Sequence, residues 1–378
     1  MSKKIILVNN TAASYGGALS ILTSFISEVA YKLTDDFVFY IFCSVDLTKF
    51  TKKNVKIIIL DDVKTNIKRL AWDYYGLKRW TKENEINPDL IISLQNTSVK
   101  QFPNKKQIVY LHQSLPYYNQ KWNPFIKSER KLWFYKNIYY YFIRNSIKKN
   151  TVIVQTNWMK EKVIKKHNLL EKDVYVVAPI KAKKIKNSSI EAKRIINNSV
   201  YKFFYPCSDA QYKNHEILLE AANILKNKGI SDFIVEISIS GESKYLLRLT
   251  EYIFQNNLST NVKLIGRIDP ESIKNKYLQA NCILFPSYIE TFGLPLIEAA
   301  ELNLPIIASN LDYAKEVLKG YNKVYYADYK NPIEWANKME KMLIDSINLD
   351  EIFGSIDKLT TWDDFIKIIE DIQIEEIG

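Results

Sequence analysis

Cysteine is scarce in this chain. The three present, Cys43, Cys207 and Cys282, lie far apart and follow no metal-binding spacing. An odd number with no leader-like stretch points to a reducing, cytoplasmic compartment rather than a disulfide scaffold. Cys43 and Cys282 sit in apolar, strand-like runs, where a free cysteine acts as a small hydrophobe. Long apolar runs are also missing, and none approaches the roughly 18 residues of a membrane span. Several chemical signatures are absent as well. There is no Walker string, no glycine-rich dinucleotide fingerprint and no nucleophile elbow, so nucleotide hydrolysis of that type, a dehydrogenase and a serine hydrolase all lose support. No Asp-x-Asp pair offers itself to a divalent cation.

What is present fits two globular domains. The 378 residues are long for one, and 47% hydrophobic with 25% charged residues is ordinary for a packed core. With 25 tyrosines and only 10 glycines, the composition argues against disorder. The net charge of +11 is uneven. Residues 1–180 hold 29 Lys+Arg against 14 Asp+Glu, whereas the remainder holds 24 against 28. A lysine-rich composition alone would raise both halves, so one half is expected to meet a polyanion or an anionic membrane.

Short apolar strands alternate with helices along the whole length. Strands are expected at 4–9, 37–42, 55–60, 89–93, 108–111, 151–154 and 174–177. Helices are expected at 18–29, 66–84 and 157–166. Residues 180–200 lose strand character and read as a linker. A second series then follows, with strands at 202–205, 234–238, 262–265, 282–285, 305–308 and 324–326. Its helices are expected at 216–227, 270–278, 331–345 and 362–374. This alternation predicts α/β architecture with two doubly wound parallel sheets. Ligands bind such sheets beyond the carboxyl ends of the strands.

One stretch stands out, FPSYIETFGLPLIEAAE at 285–301. It reads as strand, glycine-containing turn, then helix, with Pro295 where its fixed φ suits a first helical turn. A helix N-terminus of that kind presents unpaired N–H groups and suits a phosphate. Glu290 and Glu298 flank it. Carboxylates beside a phosphate site suit a ligand that also carries hydroxyls, as a nucleotide sugar does. Gly16 and Gly17, between the first strand and the first helix, form a second phosphate-compatible turn. His112 sits at the carboxyl end of a strand.

The string Glu290, seven residues, Glu298, with Phe292-Gly293-Leu294-Pro295 between, resembles the donor-site signature of the family 4 retaining glycosyltransferases. The resemblance implies the GT-B fold, two doubly wound domains facing across a cleft. Its expected boundaries are 1–182 for the acceptor side and 183–360 for the nucleotide-sugar side, with 361–378 crossing back to the first domain. It implies that Glu290 holds the transferred sugar and Glu298 the ribose diol. Thr291, Phe292, Gly293, Leu294, Gly16 and Gly17 line the donor site, and His112 contacts sugar or phosphate. The loop PCSDAQYKNHE places Lys213 where the family carries a lysine on the diphosphate. The family's arginine position falls on Ser208, a departure that leaves Arg267 as the candidate second cation. Asn214 reads as a helix cap and His215 as helix surface.

That loop and the string LHQSLP further resemble transferases that build bacterial O-antigen or capsule units on a lipid carrier. The expected reaction moves a sugar from a nucleoside-diphosphate sugar to a glycan, polyprenyl-diphosphate-linked, with no cofactor and no metal. Another GT-B enzyme, such as a nucleotide-sugar epimerase, and a non-catalytic basic binding module are the alternatives. Nucleic acid is not expected as a partner. Residues 117–150 hold Lys121, Lys127, Arg130, Lys131, Lys136, Arg144, Lys148 and Lys149 against a single acid, Glu129, with Trp122, Phe125, Trp133, Phe134, Tyr139 and Phe142 interleaved. They are expected to face the anionic inner leaflet, unless the aromatics form the core side of an ordinary helix.

Overall fold

The computed structural model describes residues 3–374 apart from 15, 64, 182–199, 270 and 345–355. The linker expected at 180–200 therefore lies almost wholly outside the described residues. The chain forms two compact units, residues 1–186 with 359–378, and residues 187–358.

The first unit is built on β1 (Lys4–Asn10), β2 (Phe37–Cys43), β3 (Val55–Ile59), β4 (Leu90–Ser93), β5 (Gln107–Tyr110), β6 (Thr151–Val154) and β7 (Val174–Val176). All pair in parallel, in the order β3-β2-β1-β4-β5-β6-β7. Both faces of the sheet are covered, which is why its central strands carry apolar runs such as Ile5–Val8 and Leu90–Ile92. Ile6 and Val8 of β1 point into one buried cluster with Phe25 and Val29. Leu7 points the other way, to Phe42, Trp72 and Leu77.

Helix α1 (Gly16–Phe25) covers the first face. The second is covered by α2 (Asn66–Ala71) and α3 (Leu77–Glu83), joined by a π-type turn at Trp72–Gly76. Next come α4 (Arg130–Asn137), α5 (Tyr139–Ile147) and α6 (Asn157–His167). The last helix of the chain, Trp362–Ile374, also belongs to this unit. Trp362 is fully buried, stacks on Tyr110 at 5.6 Å between ring centres and donates its indole N–H to Ser24 Oγ at 2.7 Å.

The second unit carries β8 (Tyr201–Tyr205), β9 (Phe233–Ile237), β10 (Val262–Leu264), β11 (Cys282–Phe285), β12 (Ile306–Ser309) and β13 (Val324–Ala327), again parallel, in the order β10-β9-β8-β11-β12-β13. Its helices are α7 (His215–Asn227), α8 (Lys244–Gln255), α9 (Ile273–Gln279), α10 (Leu294–Glu301), α11 (Asp312–Val317) and α12 (Pro332–Ile344); α13 is Trp362–Ile374. The sequence pattern did not suggest α8. It buries Tyr245, Leu246, Leu249 and Ile253 and is capped by the Ser243 hydroxyl, which accepts from Leu246 N. In each sheet the winding reverses beside the first strand, between β1 and β4 and between β8 and β11. These are the switch points where such sheets bind ligands.

At the first switch point the strands end in amides. Asn9 Nδ2 donates to Asp73 Oδ1 at 2.8 Å, and Gln95 Nε2 donates to both Asp73 oxygens at 2.9 and 3.0 Å. The Trp72 indole donates to Asn9 Oδ1 at 3.1 Å. Gly76 makes room for that indole, since a Cβ there would lie 2.4 Å from its ring. Burial pushes the Asp73 carboxyl up to about 6, against the hydrogen bonds and Arg69, which pull it down. Between the ordinary carboxylate range and 6, the folded chain thus holds a proton that the unfolded chain has released. Stability must fall as pH rises through that window and level off above it. The unfolding free energy of wild type relative to Asp73→Asn is expected to drop between about pH 4 and 6, by up to about 3 kcal/mol, in urea titrations. A pH-independent difference would contradict the assignment.

Candidate active site

The expected site residues divide between the units. Lys213, Arg267, Glu290 to Leu294 and Glu298 belong to the second, and Gly16, Gly17 and His112 to the first.

In the second unit the switch point is built by two loops. One leaves β8 and carries Lys213; the other leaves β11 and carries Glu290. Lys213 Nζ donates to Glu290 Oε1 at 2.5 Å, with side-chain exposures of only 16% and 14%. Burial alone would lower the Lys213 pKa, but the Glu290 carboxylate outweighs it and the net shift is upward. The lysine therefore stays charged. The two loops are clasped by main-chain groups as well. Tyr288 N donates to Tyr212 O at 3.0 Å, the Tyr205 hydroxyl to Lys213 O at 2.8 Å and the Tyr313 hydroxyl to Ser287 O at 2.7 Å.

Beyond Glu290 the chain turns into α10 at Gly293, whose φ of +85° favours glycine. An added Cβ would also press on Leu296 at 3.2 Å. Phe292 is buried in the core, so it offers a ligand only its backbone. The N–H groups of Phe292, Gly293 and Leu294 donate to no group among the described residues, and Pro295 has none to offer. Three successive N–H groups at a helix N-terminus form an anion-binding concavity. Glu298 follows one turn into α10 and reaches the surface, while its Oε2 accepts from the Tyr277 hydroxyl at 2.7 Å. Burial raises its pKa, Tyr277 offsets part of that and Glu301 adds to it. Arg267 is exposed in the loop after the edge strand β10, two strand spacings, about 10 Å, from β8.

Two expectations fail here. Asn214 occupies the N-cap position of α7 with φ +60°, but its side chain does not cap; it donates to Pro286 O and Tyr329 O at 3.3 and 2.8 Å, tying three loops together. His215 is fully buried, not on the helix surface. Its Nδ1 lies 3.0 Å from the Tyr245 hydroxyl and its Nε2 3.3 Å from Cys207 Sγ. Burial drives His215 down to about 4 and the Cys207 thiol well upward, so this neutral chain supports the loop and offers no nucleophile.

In the first unit Gly16 opens α1 with φ +62°, and a Cβ on Gly16 or Gly17 would meet nothing within 4 Å. Just before them Asn10 is buried, and neither its amide nitrogen nor its oxygen has a partner among the described residues. His112 Nε2 lies 3.1 Å from Leu94 O and 3.3 Å from Asn96 Nδ2, and its backbone N–H donates to Asn96 Oδ1 at 2.7 Å. Burial lowers the ring to about 4. His112 is thus neutral at neutral pH and can offer hydrogen bonds but no charge.

The sequence reading missed Tyr277, Asn10 and Asp73. The polar endings of β1 and β4, in VNN and SLQN, were the available signal for the last two. Tyr277 gave none, being 21 positions from the carboxylate it holds.

Known proteins resemble this chain in sequence and in fold. The glycosyl transferases group 1 family model matches residues 187–358. The O-antigen chain mannosyltransferase RfbU of Salmonella typhimurium is 22% identical over 250 residues, 64% of this chain and 66% of that protein. The processive diacylglycerol alpha-glucosyltransferase of Acholeplasma laidlawii is 24% identical over 181 residues, 44% of this chain and 48% of that one. The chain spans just under two thirds of the first relative and about half of the second. Among solved structures, sucrose-phosphate synthase from Thermosynechococcus elongatus superposes with a TM-score of 0.75 at 16% identity, covering 100% of this chain and 99% of that one. WaaG, a glycosyltransferase involved in lipopolysaccharide biosynthesis, gives 0.64 at 15% identity over 91% of each. At those identities the solved structures speak for the fold, which is GT-B. The second unit thus matches the glycosyl transferases group 1 family model, and the chain is similar to glycosyltransferases of that kind.

Proposed function

We propose that the chain is a retaining glycosyltransferase. It moves a hexosyl or N-acetylhexosaminyl group from a nucleoside-diphosphate sugar to a hydroxyl of a polyprenyl-diphosphate-linked glycan, in the building of bacterial O-antigen or capsule. The observation that carries this reading is the switch point of the second unit, where charged Lys213 is paired with Glu290, on the same loop as three N–H groups that have no acceptor among the described residues. As the glycosidic bond breaks, negative charge builds on the departing diphosphate. Lys213 and the N–H groups of Phe292, Gly293 and Leu294 stabilise it, a preorganised electrostatic role that uses neither metal nor cofactor. Glu290 holds hydroxyls of the transferred sugar, and Glu298, steadied by Tyr277, accepts from the ribose diol. The leaving phosphate takes the acceptor's proton on the face it has left, which retains configuration. Glu298→Ala is expected to weaken binding of the free nucleoside diphosphate by about tenfold or more, measured by calorimetry. An unchanged dissociation constant would remove Glu298 from the ribose.

The reading includes peripheral attachment to the inner face of the cell membrane. No helix among the described residues is long and apolar enough to cross a membrane. Seven of the eight basic residues of 117–150 are exposed, and Phe125 (89% exposed), Phe134 (43%), Ile126 and Tyr141 lie among them. Trp122 turns inward, and Tyr139 packs on the core cluster around Ile143, so part of the aromatic pattern is structural. Lys136 is also engaged, donating to Tyr118 O at 2.6 Å and to Gln120 O. The exposed cations nearest in sequence to Phe125, Ile126 and Phe134 are Lys127, Arg130 and Lys131, each gaining about 1 kcal/mol near an anionic leaflet. Co-sedimentation with vesicles is expected to rise with anionic lipid, to fall with salt, and to drop in Lys127→Glu/Lys131→Glu. Binding indifferent to lipid charge would sink this part of the proposal.

A further inference from the structure

The first unit holds a cavity that none of the residues above explains. It has a volume of about 660 Å³ and lies under the 116–122 segment, between α4 and α6. Each helix presents a triad at i, i+3, i+4 spacing, the spacing that puts side chains on one face. From α4 come Trp133, Lys136 and Asn137; from α6 come Lys162, Lys165 and Lys166. The roof adds Tyr117, Trp122 and Lys121. The lining thus has five lysines and no carboxylate.

Part of this charge has a structural use. Lys136 ties down the roof through Tyr118 O and Gln120 O, and Lys166 does so through Pro116 O. Lysines in the last turn of α6 also suit its dipole. The rest does not fit that account. Lys121, Lys162 and Lys165 have no ion-pair or hydrogen-bond partner among the described residues. Like charges at i, i+3 spacing weaken a helix. Burial lowers the Lys136 pKa, and Lys166 and Lys121 lower it further, which marks a group short of negative charge. Lys166 is lowered by burial as well. The walls between the cations are the rings of Trp122, Trp133 and Tyr117, with Lys136 5.3 Å from the centre of the Trp122 ring.

We propose that this cavity is a binding site for a phosphoryl or diphosphoryl ester, its anion held by Lys121, Lys162 and Lys165 and its organic body against Trp122 and Trp133. A volume of 660 Å³ exceeds what a bare phosphate fills and is ordinary for a pocket that takes a small organic ligand. The three lysines reach the ligand as flexible point charges, suited to phosphate and not to a planar carboxylate fork. The site deepens the proposed function and rests on it in one respect: a polyprenyl-diphosphate-linked acceptor offers this chemistry. A soluble phosphate ester offers it too.

The test is calorimetric titration of the full chain with inorganic pyrophosphate, in a Lys213→Gln background so that the second unit's lysine does not contribute. Lys162 and Lys165 are exposed, so Lys162→Gln/Lys165→Gln leaves the core intact. That pair is expected to weaken pyrophosphate binding by about tenfold. Lys148→Gln/Lys149→Gln removes the same charge from exposed positions outside the cavity and is expected to change it by less than about twofold. Equal effects of the two pairs, or no effect of the first, would overturn the site. Neutral phosphatidylcholine vesicles carrying an isoprenyl diphosphate then assign the source. Capture lost on Lys162→Gln/Lys165→Gln supports a lipid headgroup, and capture unchanged while pyrophosphate binding is lost supports a soluble ester. No turnover is read, so failure of the transferase reading and failure of this site remain distinguishable.

Discussion

The ion pair between Lys213 and Glu290 is the constraint on which the second unit's site depends. Its partners come from two loops that the strand order forces to leave the sheet side by side. Each is largely removed from water, and each would be costly there alone, since an unpaired buried charge destabilises by several kcal/mol. Paired, they tie the two loops together, and the carboxylate keeps Lys213 charged. An ammonium has three donors, so Lys213 can keep Glu290 and still meet a phosphate oxygen. The concavity at the start of α10 supplies dipoles that need no rearrangement when charge arrives.

The first unit repeats the topology with opposite electrostatics. Its switch point is lined by amides, a neutral imidazole and a carboxyl whose pKa is pushed up to about 6. Asn10 adds a buried amide with no partner among the described residues. Such a floor suits a ligand rich in hydroxyls, where the second unit's suits a diphosphate. The concentrated charge of the first unit lies away from that edge. Lys162 and Lys165 are five and eight residues into α6, about 7 to 12 Å along its axis from the end next to the sheet's carboxyl edge.

Much of the frame was legible because it rests on local signals. Apolar runs of strand length marked all thirteen strands among the described residues, and Trp362–Ile374 was expected as the closing helix. Gly293 and Pro295 showed where α10 begins, since only a few residues suit a positive φ or a first helical turn. What was not legible depends on partners distant in sequence. His215 looks like a surface residue until Tyr245 and Cys207 are packed on it. Tyr277 has no reason to matter until α9 lies beside α10. Lys136 resembles its neighbours in a basic stretch, yet it is a brace for the roof of a cavity.

The central claim is that Lys213 is an anion-binding cation held in readiness by Glu290. Calorimetry of UDP and GDP with wild type, Lys213→Gln and Glu290→Gln tests it most directly. Lys213→Gln keeps a neutral hydrogen bond between the loops and should weaken whichever nucleotide binds by about tenfold, the loss of one hydrogen bond to a charged group. Glu290→Gln removes the competing internal anion and should leave that affinity unchanged or improved. Weakening by Glu290→Gln equal to that by Lys213→Gln, or indifference to Lys213→Gln, would contradict the account.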